Sequence, residues 1–199
     1  MGQVEPQPRR YTPEEYFALE AQSQEKHEYF EGEVFAMAGT SKAHNAIALN
    51  IAVSSLAALR SRGCQLFASD VRVAVQENVH YTYPDVVVSC DPADQQDDYL
   101  VRQPVLIVEI LSPDTESYDR NEKFQQYQKL PSLRHYVLVA QQKWFVDWFR
   151  RNEAGEWVVQ QFNEATDVLA IADLGLHLPL ADLYAGTDVA ALRVLPGAA

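Results

Sequence analysis

Val105-Leu106-Ile107-Val108-Glu109-Ile110-Leu111 is an apolar, β-branched run interrupted by one carboxylate, and Tyr83-Pro84-Asp85-Val86-Val87-Val88 places a second acid at the edge of a similar run. Short runs this rich in valine and isoleucine read as buried strands. A lone carboxylate inside such a strand must take up a proton or meet a cation, because removing a bare charge from water is costly. Two acids on adjacent strands can instead share a divalent metal. At about 4 Å and an effective dielectric near 20 they repel by roughly 4 kcal/mol, which bound Mg²⁺ or Mn²⁺ offsets. The alternative is that Glu109 is a core acid paired with an arginine.

Outward from these two strands, the remaining elements follow from local patterns. Thr12-Pro13-Glu14-Glu15 has the form of a capping box and predicts a helix over 12–22. Residues 28–37 alternate around Glu31-Gly32 as two short strands and a turn, and 41–60 read as an amphipathic or largely buried helix stopped by Gly63. Leu66, Ala68, Val71, Val73 and Val75 mark a β-branched stretch. Residues 116–130 have helical composition, strands follow at 135–140, 143–150 and 157–162, and Leu178-Pro179-Leu180 begins a short closing helix. Helix, hairpin, long helix, three strands, helix and further strands predict an α/β or α+β domain with a central mixed β-sheet flanked by helices. One domain is expected over 11–187, with 1–10 a disordered or frayed N-terminus and 188–199 a C-terminal tail.

The 199 residues are 47% apolar and 11% aromatic, enough for one well-buried core. With 28 acidic against 16 basic residues the formal charge is −12, which excludes a protein that coats nucleic acid through a broad basic footprint. The excess is uneven: residues 34–84 carry four bases against two acids, and 101–135 carry five of each. Residues 91–98 read as a polar, solvated loop. Cys64 and Cys90 form no C-x-x-C pair or disulfide framework and fit a reducing compartment. No apolar run is long enough for a membrane span, so a cytoplasmic protein is expected. The G-x-S-x-G elbow, the H-E-x-x-H helix and the phosphate-binding P-loop are all absent.

Lys123 lies on the helix after the Glu109 strand, with Asp119 and Tyr127 four residues to either side and hence on one face. Turned toward the strand ends, Lys123 could hold or activate a water, and Tyr127 could bond a phosphate oxygen or orient the lysine. Turned outward, Asp119 and Lys123 are an ordinary exposed helix pair. Arg150-Arg151, after Trp144, Phe145 and Trp148, could grip a nucleic-acid backbone or end an amphipathic strand in a charged turn.

Pro84-Asp85, then Val108-Glu109-Ile110-Leu111-Ser112-Pro113-Asp114-Thr115, then Asp119-Arg120, Lys123 and Tyr127, then Leu133-Arg134-His135-Tyr136-Val137-Leu138-Val139 together resemble the Uma-two family. That is a bacterial group of restriction-endonuclease-like fold within the PD-(D/E)xK nuclease superfamily. The likeness extends from Tyr11 to Tyr184 and takes in Glu28-Tyr29-Phe30-Glu31-Gly32-Glu33-Val34 and the stretch from Met37-Ala38-Gly39 to His44. It implies that Asp85 and Glu109 are metal ligands, with the Ile110 backbone carbonyl as a third donor, and that Glu28 adds a supporting carboxylate. His44 matches a family histidine that could touch phosphate or a carboxylate; a helix-start histidine bonded to its own turn is the other explanation. The lysine expected two residues after Glu109 is Leu111 here, and the resemblance places its replacement at Lys123. The activity implied is Mg²⁺- or Mn²⁺-dependent hydrolysis of DNA phosphodiester bonds by a homodimer. The alternatives are a catalytically weak or inactive module that binds nucleic acid or a protein partner as a dimer, and a structural protein whose buried acids form internal salt bridges.

Overall fold

The computed structural model describes residues 9–37 and 39–191. Helix α1 (Pro13–Glu20) opens with the expected capping box: Glu15 N donates to Thr12 Oγ1 at 3.2 Å and Thr12 N to Glu15 Oε2 at 2.9 Å. The hairpin β1 (His27–Phe30) and β2 (Glu33–Ala36) turns through Glu31 and Gly32, both at positive φ. Helix α2 (Lys42–Arg60) is capped by Ser41 and buries Ile47, Ile51 and Leu59. Next come β3 (Gln65–Ala68), β4 (Arg72–Gln76), β5 (His80–Thr82), β6 (Val86–Ser89), β7 (Leu100–Val101) and β8 (Pro104–Leu111). A continuous helical segment follows as α3 (Glu116–Tyr118), a π-helical turn (Asp119–Lys123) and α4 (Phe124–Tyr127). Strands β9 (His135–Ala140), β10 (Val146–Arg151), β11 (Trp157–Phe162), β12 (Val168–Ile171) and β13 (Leu176–Pro179) and helix α5 (Leu180–Leu183) complete the chain.

The central mixed sheet has the order β11-β10-β9-β8-β6-β3, with β8 and β9 parallel and the other pairs antiparallel. Alternation along its strands sends Val86, Val88, Leu106, Val108, Val137 and Val139 toward α2, α5 and the β12–β13 hairpin. Val87, Ile107, Leu111, Tyr136 and Leu138 face Tyr127, Leu130 and Leu133 on the other side. Helical segments thus flank the sheet on both faces, as the element order implied.

The single β-branched stretch expected over 66–75 is broken. β3 belongs to the central sheet, whereas β4 joins a second, five-stranded sheet of order β2-β1-β5-β4-β7. The chain crosses between the two at Ser69, held at φ 63°, and its amide donates to Asp85 O at 3.0 Å. It crosses back at Tyr83-Pro84-Asp85, between β5 and β6. The two crossings therefore meet, and Asp85 sits where they do.

Two other expectations change, and one pair of alternatives narrows. Cys64 and Cys90 are joined by a disulfide instead of remaining free thiols. Gln65 and Ser89 are paired across β3 and β6, so the residues just outside that pair fall opposite one another. Residues 91–98 are not wholly solvated, because Asp94 is 3% exposed and accepts from Ser89 Oγ and the amides of Arg102 and Gln103. Of the two explanations for Arg150-Arg151, the charged strand end accounts for Arg151, whose Nη2 donates to Gln128 O at 2.7 Å and whose guanidinium lies over Trp157, while the exposed Arg150 lies over Trp148. Of the two expected frayed ends, residues 1–8 and 192–199 lie outside the described residues, as does Ala38. Arg10 donates to Glu31 O at 2.7 Å, and Trp144 bonds to the carbonyls of Val189 and Ala190.

Candidate active site

Four carboxyl groups and one ammonium gather where the two sheets meet. Glu28 comes from β1 of the five-stranded sheet, Asp85 from the crossing, Glu109 from β8, and Asp119 and Lys123 from the π turn. Lys123 Nζ is 3.0 Å from both Glu28 Oε1 and Glu109 Oε1, and 3.8 Å from Asp119 Oδ1. Lys123 is 6% and Glu109 4% exposed, so the inward orientation of this helix face holds and the exposed-pair explanation fails. Glu109 is indeed a paired core acid, but its cation is a lysine from the following helix.

Each carboxylate is aimed by its neighbours. Tyr127 donates to Glu109 Oε1 at 2.8 Å, leaving Glu109 Oε2 toward the Asp85 amide at 3.4 Å. Asp85 Oδ2 accepts from Ile110 N at 2.7 Å and lies 3.2 Å from His44 Nε2, so α2 reaches the site through its first turn. Glu28 accepts from the Thr82 hydroxyl, and Thr82 also meets Tyr127 at 3.3 Å. All seven side chains singled out from the sequence therefore converge. At Ile110, the expected carbonyl donor, the contact the structure gives is its amide on Asp85.

The helical segment that carries Lys123 is pinned from behind. Tyr136 donates to Asp119 O at 3.0 Å, and Arg120 bonds to the buried Asp147 on β10. Tyr83 donates to Glu20 Oε2 at 2.6 Å, tethering the crossing to α1. Thr82, Tyr136 and Asp147 were not anticipated. Asp147 carried the same signal as Glu109, a single acid inside the apolar run Phe145-Val146-Asp147-Trp148-Phe149.

Burial and mutual repulsion set the protonation states. Desolvation raises Glu109 to about 8; Lys123 opposes this, and Asp85, Asp119 and Glu28 reinforce it. Burial would also raise Glu28, but Lys123 and the Thr82 hydroxyl outweigh it and hold Glu28 below its usual range. Burial alone would depress Lys123, yet Glu109, Glu28 and Asp119 lift it well above its usual value, so it stays cationic. Asp119 is raised, chiefly by burial. The Tyr118 hydroxyl is raised to about 12 by burial and then by the Glu28 charge.

Among the described residues, no group of three or more His, Cys, Asp or Glu side chains converges tightly enough to cage a metal. Two hard oxygens are nonetheless uncommitted: Asp85 Oδ1 has no hydrogen bond among the described residues, and Glu109 Oε2 has only the long contact to the Asp85 amide. Two such donors fit Mg²⁺ or Mn²⁺, since Mg²⁺ typically binds one or two carboxylates and keeps several waters.

A mixed sheet carrying acids at adjacent strand positions, with a lysine delivered beside them, belongs to the restriction-endonuclease-like class. The Uma2 family model, described as "Putative restriction endonuclease", matches residues 13–181, and the chain belongs to that family. It is 36% identical over 177 residues to the uncharacterized protein slr1290 of Synechocystis sp. (strain ATCC 27184 / PCC 6803 / Kazusa), covering 89% of this chain and 93% of that one. To the uncharacterized protein sll1609 of the same strain it is 32% identical over 152 residues, covering 75% and 86%. Among solved structures, a putative nuclease belonging to DUF820 from Anabaena variabilis ATCC 29413 shares the fold, with TM-score 0.72 over 87% of this chain and 97% of that one at 20% identity.

Proposed function

We propose that this chain is a divalent-metal-dependent endonuclease that hydrolyses phosphodiester bonds of DNA. The observation that carries the proposal is Lys123 Nζ, 3.0 Å from Glu109 and from Glu28, beside the free carboxylate oxygens of Asp85 and Glu109. Leu111, at the usual lysine position, is part of the apolar core on the Glu109 face, and Lys123 brings an amine to that face from the helix. Asp85 and Glu109 would hold Mg²⁺ or Mn²⁺, with the Ile110 carbonyl as the further donor; the bound ion would polarise the phosphate and acidify a water.

The chain's own groups do the rest. Lys123, held cationic, serves as a hydrogen-bond donor and fixed charge facing the phosphate oxygens, not as a general base. Tyr127 keeps Glu109 Oε1 occupied so that Oε2 stays turned toward Asp85. His44 and the Ile110 amide hold Asp85 Oδ2, leaving Oδ1 open. Acting on DNA would place the protein in the cytoplasm, as a homodimer, with the Cys64–Cys90 disulfide as the feature at odds with that reducing compartment; among the described residues no helix is long and apolar enough to cross a membrane.

The engagement of Lys123 by three carboxylates also favours a second possibility, a module that binds nucleic acid or a protein partner without cutting. One experiment separates the two. Supercoiled and single-stranded DNA are incubated with Mg²⁺ or Mn²⁺ and wild type, Asp85→Ala, Glu109→Ala or Lys123→Ala. Cleavage by wild type alone supports the enzyme; binding without cleavage supports the module; equal cleavage by all four excludes this site.

A further inference from the structure

Two large aromatic side chains are partly exposed beside the buried charges. Phe35 on β2 is 50% exposed and is in register with Glu28 across the β1–β2 pair. Directly opposed residues point to the same face, so Phe35 and Glu28 project from the same side of the hairpin. Tyr118 is 40% exposed, and Lys123 Nζ lies over its ring at 6.0 Å from the centroid. Glu28 and Asp85 are also the least buried of the site acids, at 14% and 16% side-chain exposure. The rim through which a substrate reaches the cluster is therefore flanked by rings.

We propose that Phe35 and Tyr118 are a stacking platform for unpaired nucleobases, so that the site takes a single strand, or a locally opened one, in preference to intact duplex. This rests on the nuclease reading and adds the substrate class to it. Bases inside a duplex stack on each other and offer no free face to a side chain, whereas an unpaired base does. The overall charge of −12 limits how much affinity phosphate contacts can supply, and stacking needs no basic footprint.

Anisotropy with a labelled oligothymidylate, a hairpin duplex and an abasic strand, in Ca²⁺ to permit binding without turnover, tests the platform. Wild type should bind oligothymidylate more tightly than duplex or abasic strand, with a shallow salt dependence. Phe35→Ala and Tyr118→Ala should each weaken oligothymidylate binding by about 5- to 150-fold and leave abasic-strand binding unchanged. Phe35→Trp and Tyr118→Phe should retain it, which separates stacking from misfolding. Equal binding of all three ligands by wild type, or unaltered oligothymidylate binding by both alanine variants, overturns the proposal. So does a Phe35→Ala variant that dissociates a dimer in sedimentation while binding the strand normally, since Phe35 then covers a second copy. If the abasic strand is still cut with Mn²⁺ in an Asp85-dependent way, only the platform has failed. If no strand is bound or cut, the nuclease reading falls with it.

Discussion

Two polar clusters sit at opposite ends of the parallel β8–β9 pair, and they are built on opposite principles. At one end Glu28, Asp85, Glu109 and Asp119 surround a single lysine. At the other, where His135 opens β9, Asp173 from the β12–β13 turn meets Arg134 Nη2 at 2.6 Å and His135 Nε2 at 3.1 Å. Trp148 donates to His135 Nδ1 at 3.3 Å, which leaves the ring proton on Nε2, facing Asp173. In the second cluster one acid answers one guanidinium and a neutral ring. The balanced cluster needs no further partner, whereas acids in excess repel one another, and under the proposed function a bound cation would offset that repulsion.

The comparison breaks most visibly in catalysis. With Mn²⁺, Asp85→Ala and Glu109→Ala should each lower plasmid cleavage by at least about a hundredfold, because under the proposed function each removes a metal donor. Asp173→Ala should leave the rate unchanged. Comparable losses in all three variants would mean that the acid surplus has no catalytic meaning.

The next effect is on stability. Lys123→Met leaves Glu28 and Glu109 buried without their cation and should cost about 3–5 kcal/mol in urea unfolding at pH 8. Adding Glu28→Gln should recover part of that loss, because Glu28 is the acid that Lys123 holds ionised, whereas Glu109 without the lysine keeps its proton. A smaller signature comes from pH in chelator-containing buffer. Glu109 titrates near 8 in the folded protein against 4.5 ordinarily, so between those values the native state holds a proton that the unfolded chain has released. Raising the pH through this window therefore favours unfolding, by an amount on the order of a few kcal/mol, with no further loss from this group above about 8. Glu109→Gln should flatten the slope, and an unchanged slope would show that its source lies elsewhere.

Asp85 and Glu109 were legible because a carboxylate in an apolar strand is conspicuous in one dimension; helical spacing put Lys123, Asp119 and Tyr127 on one face, but only the family resemblance turned that face toward the site. Glu28 and His44 were reached through family resemblance, since nothing in their own neighbourhood marks them. What stayed hidden depends on distant pairing. The break at Ser69 uses a left-handed backbone without glycine, so no residue type announced that β3 and β4 enter different sheets. The Cys64–Cys90 bond follows from the β3–β6 register, which neither cysteine reveals. Asp94 looked like one more acid in a polar loop because its partners are an upstream hydroxyl and two downstream amides. Strands β5, β12 and β13 are only three or four residues long, too short for a period to establish itself.

The smallest predicted effect belongs to the balanced cluster. Asp173 and Arg134 are both well exposed, so Asp173→Asn should cost only about 1 kcal/mol at pH 8. Its pH dependence should nevertheless run opposite to that of Glu109. Burial lowers the pKa of His135 below its usual 6.5, with Asp173 pulling the other way. Below 6.5 the unfolded chain binds a proton that native His135 resists, so stability falls as the pH falls. Removing the Asp173 charge depresses His135 further and should steepen that acid-side loss while leaving the Glu109 slope on the alkaline side untouched. Unfolding of Asp173→Asn and wild type followed from pH 5 to pH 8 would measure both limbs in one series. A steeper alkaline limb in the variant would mean that the two clusters are coupled through β8 and β9 and are not independent ends of one sheet.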